Sequence, residues 1–165
     1  MSEQVRIAVD QFELVRQDID GWRGRCLDVF SRSEAAIIET LLVARDNGRA
    51  IKLGHLAGQR LTELAELEES RATPRQAAAL RKTLERWREL ETKRPFLAHG
   101  VVTELIDRQG KWWAKLDIIV CEKAEPNPVR WTASQNEAAD FETELRDGFA
   151  QLKGQLGHLQ TRLAT

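Results

Sequence analysis

Arg94 and His99 are the residues whose types and spacing suit chemistry. A permanent cation and a group that exchanges a proton near neutral pH stand together in Arg94-Pro95-Phe96-Leu97-Ala98-His99-Gly100. Such a pair can hold an anion and move a proton. The guanidinium offers a rigid fork of donors to a phosphate, while the imidazole serves as acid or base. Arg86 and Lys93, just upstream, would add phosphate or RNA contacts. They belong to a basic stretch of Arg71, Arg75, Arg81, Lys82, Arg86, Arg88, Lys93 and Arg94, set against Glu85, Glu89 and Glu91. An anion-attracting face and a solvated helix with intrahelical ion pairs, such as Glu85 with Arg81 or Glu89 with Lys93, both account for that stretch.

The motif also has a structural reading. His99-Gly100 can close a helix, with glycine in the left-handed position, and Arg94 can pair with Glu91 or Glu104. On an uninterrupted helix five residues turn through about 500°, which leaves Arg94 and His99 about 140° apart. Pro95 offers a bend that would bring them together. His55 and His158 each stand alone in an amphipathic segment and read as surface or packing residues.

The elements that must hold this motif are mostly helical. Phe12, Val15, Ile19, Trp22, Cys26 and Val29, then Ile37, Leu41 and Ala44, follow alternating steps of three and four. They predict one long helix, or two in line, ending at Asn47-Gly48. Gly21 and Gly24 would mark a bend or a close helix crossing within it. A second helix is expected through Leu53, Leu56, Leu61, Leu64 and Leu67, ending near Ser70. Thr73-Pro74-Arg75-Gln76 carries a cap, a first-turn proline and a capping box for a third, whose apolar side runs Ala77, Leu80, Leu84 and Trp87 before meeting Glu91 and Arg94.

After Gly100 the period becomes twofold. Val102, Glu104 and Ile106 lead to a turn at Asp107–Gly110. Trp112, Ala114, Leu116, Ile118 and Val120 then share one strand face, with Trp113, Lys115, Asp117, Ile119 and Cys121 on the other. Glu125-Pro126-Asn127-Pro128 is expected to break the pattern before a short edge strand at Val129–Thr132. Ser134 and Glu137 make a second capping box for a last helix through Ala138, Phe141, Leu145, Phe149, Leu152, Leu156, Leu159 and Leu163. The expected fold is mainly α: an antiparallel bundle of about four helical segments, with a β hairpin or meander at 101–133 inserted in a single domain of 1–165.

Composition narrows the function classes. A net charge of −1 argues against coating nucleic acid by bulk electrostatics. Trp112, Trp113 and Trp131 invite base stacking, but a core role suits Trp112 better, as it does Trp22 and Trp87. Trp113 is placed for a protein contact. Cys26 and Cys121 share no metal-binding spacing and read as two buried thiols; no metal or cofactor is expected. There is no phosphate-binding glycine loop, HExxH or Ser/His/Asp arrangement. Lacking a leader pattern or a long apolar run, the chain reads as cytoplasmic and not membrane-bound.

With Arg94 and His99 at R-x4-H spacing, after helices and before a closing apolar helix, the chain resembles the HEPN superfamily. The resemblance implies metal-independent RNA cleavage in a site built from two motif copies across a homodimer, with Arg94 holding phosphate and His99 as acid/base. Members commonly carry a polar residue after the arginine, where this chain has Pro95. The alternative is a non-catalytic protein-interaction or regulatory module, in which the apolar helices and Trp-bearing hairpin form an interface.

Overall fold

In the computed structural model, which describes residues 3–69, 73–122 and 124–164, helices α1 (Glu3–Asp46), α2 (Ala57–Glu69), α3 (Pro74–Glu91) and α4 (Arg94–His99) precede three strands. These are β1 (Val101–Ile106), β2 (Trp112–Glu122) and β3 (Glu125–Ser134), and α5 (Gln135–Leu163) closes the chain. This is the mainly α fold expected, with the sheet inserted before the last long helix. Ser70 and Arg71 lie outside the described residues. Two units form: Met1–Asp28 with Lys93–Glu144, and Val29–Thr92 with Leu145–Thr165. Both α1 and α5 contribute to each.

Among its described residues the second unit holds helices and their connections, and no strand. Its core gathers Phe30, Ile37, Leu41, Leu61, Leu64, Leu80, Leu84, Trp87, Leu152 and Leu156, the apolar faces that period 3.6 assigns. Trp87 lies between Phe30 and Phe149, with ring centroids 5.7 and 6.2 Å away. Gly148 faces the same layer: a Cβ there would stand 2.8 Å from Leu90 Cδ1, so this glycine marks a close helix contact. Gly21 and Gly24 do not. A Cβ on Gly24 meets nothing within 4 Å, and one on Gly21 meets only the Arg25 guanidinium.

Local signals set the helix ends. Gly48, at φ +80°, stops α1 while Arg49 N–H donates to Ala44 O. Thr73 and Gln76 form the expected capping box. The second helix is shorter than its leucine pattern suggested: it starts at Ala57, and Leu53 and Leu56 are exposed before it. The physical reason is polar. Gln59 Oε1 accepts the Leu56 N–H, and Arg60, 2.5 Å from Glu34, donates to the carbonyls of Gly54 and His55, which holds 54–56 outside helical geometry.

In the first unit the antiparallel sheet has the order β1-β2-β3. Gly110 supplies φ +80° to the β1–β2 turn, and Asp107 Oδ1 accepts the N–H groups of Gln109 and Lys111. Trp112, Ala114, Leu116 and Ala133 are buried on the inner face. Trp131 joins them, its ring 5.6 Å from Trp22, 6.1 Å from Phe96 and 5.3 Å from Phe141. Two expectations are corrected here. β3 starts at Glu125 and carries Pro126 and Pro128 within the ladder, opposite Cys121 and Ile119. An edge strand accepts proline where the missing N–H would face away from its neighbour. Cys121 is exposed, since it lies on the outward face of β2; Cys26 alone is buried.

The Ser134–Glu137 box starts α5: Glu137 accepts the Ser134 N–H at 2.8 Å and donates its own N–H to Ser134 Oγ at 3.2 Å. These bonds, the Ser134 backbone first, hold the Glu137 carboxyl below its ordinary 4.5. A depressed folded-state value contributes stability above pH 4.5 that is lost as pH falls through the lower, folded value. Melting temperatures measured between about pH 6 and pH 2.5 should therefore fall less steeply on the acid side for Glu137→Gln than for wild type.

Candidate functional site

The α4 turn carries the motif. Helix α3 ends where Thr92 donates its N–H and its Oγ1 hydrogen to Glu89 O, at 3.3 and 2.6 Å. Lys93 caps α4 with helical backbone angles, and Pro95 falls in the first turn, where a missing N–H is no loss. The chain therefore breaks at Thr92-Lys93 and stays helical from Arg94 to His99. The two residues remain about 140° apart around the axis and about 7.5 Å apart along it. Arg94 is half-buried and His99 exposed.

Inward-facing Phe96 and Leu97 fasten α4 to the unit. Arg23 of α1 fastens its end, donating from Nε and Nη2 to Leu97 O at 3.0 and 2.7 Å and from Nη2 to Gly100 O at 3.5 Å. A guanidinium thus satisfies carbonyls that a helix C-terminus leaves open. Gly100 is not left-handed as expected: its angles are φ −65° and ψ 131°. Glycine is needed for a close approach, because a Cβ would lie 2.3 Å from Phe96 O and 3.2 Å from Leu116 Cβ.

The neighbouring cations have their own contacts. Lys93 Nζ stands 5.1 Å from the Trp131 ring centroid and 5.9 Å from that of Phe96. Arg86, on α3 in the helical unit, donates to Glu89 at 2.6 Å, an ion pair of the kind a solvated helix carries. Glu104 lies 3.9 Å from Arg16. Sequence reasoning missed Arg23, whose partners are 74 and 77 positions away with no local signal to connect them.

A second surface lies on the outer face of the sheet. Val101 is 71% exposed, Leu105 50%, Trp113 40% and Ile119 72%, and Leu105 pairs directly with Trp113 across β1 and β2. Two cations share one carboxylate on this face: Arg130 Nε donates to Asp117 at 2.6 Å, and Lys115 Nζ lies 3.7 Å from the same carboxylate. The Arg130 hydrogen bond is the chief cause that holds Asp117 below its ordinary 3.8. A separate cleft of about 270 Å³ is lined by Asp18, Trp22, Arg25, Trp112, Gln135 and Glu142 among others, none of them from α4.

Among the described residues no group of three or more His, Cys, Asp or Glu could hold a metal ion, and no helix is long and apolar enough to cross a membrane. The chain matches no family model, no curated protein and no solved structure.

Proposed function

We propose that this chain is a protein-binding module whose docking surface is the outer face of the sheet. The observation that carries this reading is the set of large apolar side chains, Val101, Leu105, Trp113 and Ile119, left exposed on adjacent strands. Exposed apolar groups clustered on one face suit a protein contact, and a half-exposed tryptophan is a frequent anchor of such contacts. Among the described residues the face's one carboxylate, Asp117, lies between Lys115 and Arg130, which leaves a single net positive charge, far short of the several cations by which proteins hold a phosphate backbone.

A HEPN-like ribonuclease is the second reading, favoured by one observation: His99 is exposed at the end of a helix clamped by Arg23. Since one copy turns Arg94 and His99 about 140° apart, cleavage on this reading takes residues from two copies, as the resemblance implies. Labelled mixed-sequence RNA, incubated in EDTA with wild type and with His99→Ala, separates the two. The docking module leaves the RNA intact in both samples. EDTA-resistant cleavage by wild type that His99→Ala abolishes would replace it with the ribonuclease; cleavage that survives the substitution would remove His99 from any catalytic role.

A further inference from the structure

We infer that the free edge of β1, beside this face, takes a second copy of the chain, whose β1 pairs antiparallel with β1 about a two-fold axis at Thr103. The inference goes beyond the docking reading above: the pairing uses the sheet's edge and makes the outer face continuous across two copies. The first support is the contrast between the two sheet edges. β3 bears Pro126 and Pro128, which remove donors from its free side, whereas β1 reads Val101-Val102-Thr103-Glu104-Leu105-Ile106, β-prone and without proline or lysine. Among the described residues no strand pairs with the far side of β1.

Self-complementarity is the second support. Two copies of a strand that pair antiparallel keep each side chain on its own sheet face only if the axis falls at a residue. An axis at Glu104 would set two carboxylates directly opposite each other, which is unfavourable. At Thr103 the outer face instead sets threonine opposite threonine and Val101 opposite Leu105 of the other copy. Leu105 already pairs with Trp113, so a continuous apolar row results: Trp113, Leu105 and the second copy's Val101, repeated by symmetry. On the inner side Glu104 stands opposite Val102 and keeps its place beside Arg16.

A ladder of about five residues with a few side chains on each copy buries less than the ~1,200 Å² of a stable complex, so the dimer is a weak one. Each α4 ends at His99, two residues before β1 begins, so neither Arg94 nor His99 is among the residues that pair on each strand. The ladder itself therefore supplies no R-x4-H contact.

Sedimentation equilibrium of the full chain from about 5 to about 500 μM tests the inference. Wild type should pass from monomer towards dimer. Val101→Lys/Leu105→Lys sets like charges face to face twice and should weaken association at least tenfold. Val101→Glu/Leu105→Lys sets opposite charges face to face in this register alone and should restore it. Both positions are exposed, so circular dichroism melts of the variants should match wild type. A wild type that stays monomeric throughout, or a double-lysine variant that associates as well as wild type, overturns self-pairing. Failure of the glutamate/lysine variant to recover overturns the Thr103 register. A monomeric wild type without ribonuclease activity leaves outer-face docking standing with another protein as partner, whereas His99-dependent cleavage overturns the docking reading itself.

Discussion

Trp131→Ala lowers the melting temperature by about 10 °C, because one indole on β3 joins aromatic side chains from α1, α4 and α5. Its centroid is within 5.6 Å of Trp22, 6.1 Å of Phe96 and 5.3 Å of Phe141, and the Lys93 ammonium lies 5.1 Å from it. Truncating a large aromatic in a core costs about 3–5 kcal/mol. Trp131 is half-buried, which sets the expectation near the lower end, at about 3 kcal/mol, and at this chain length each kcal/mol moves the transition by about 2–4 °C. Trp131→Phe keeps a ring against the same neighbours and should lose less than half as much. Calorimetry on the three proteins checks the order. A loss under about 3 °C for the alanine variant would mean that the inner face closes over the gap and that the aromatic cluster does not hold the sheet to its helices.

What the sequence made legible is what local chemistry decides. Ser134 with Glu137, Thr73 with Gln76, Asn47-Gly48 and the Asp107–Gly110 turn each close their hydrogen bonds within a few residues, so their letters are enough. The twofold alternation of β2 likewise separates buried Trp112 from exposed Trp113. The missed features depend on chain that is distant in sequence. Gly148 is a contact residue because of Leu90, and Arg23 is a helix clamp because of Leu97 and Gly100. Pro126 looked like a strand breaker because its place at a sheet edge is a tertiary fact. The motif shows both sides of this division. Its residue types are legible, but the direction in which Arg94 and His99 point depends on where α3 breaks, and a first-turn proline let that break fall before Arg94.

Gly100→Ala should destabilise the fold by about 3 kcal/mol, a loss of about 10 °C, and the reason is collision rather than backbone angle. At φ −65° and ψ 131° an alanine is unstrained. Its Cβ would nevertheless stand 2.3 Å from Phe96 O, a backbone atom with no rotamer to adopt, and 3.2 Å from Leu116 Cβ on β2. Relief requires movement at the junction of α4 and β1. Turning Phe96 O away breaks its bond from the Gly100 N–H, 2.9 Å long, and shifting β1 disturbs its ladder with β2. Arg23 opposes either movement by holding the carbonyls of Leu97 and Gly100. Hydrogen exchange locates the damage: the amides of Leu97 and Gly100, which bond to Lys93 O and Phe96 O, should lose protection first. A variant that melts within about 2 °C of wild type with these amides still protected would show that the junction absorbs a methyl group, and that Arg23 rather than the close approach fixes where α4 ends.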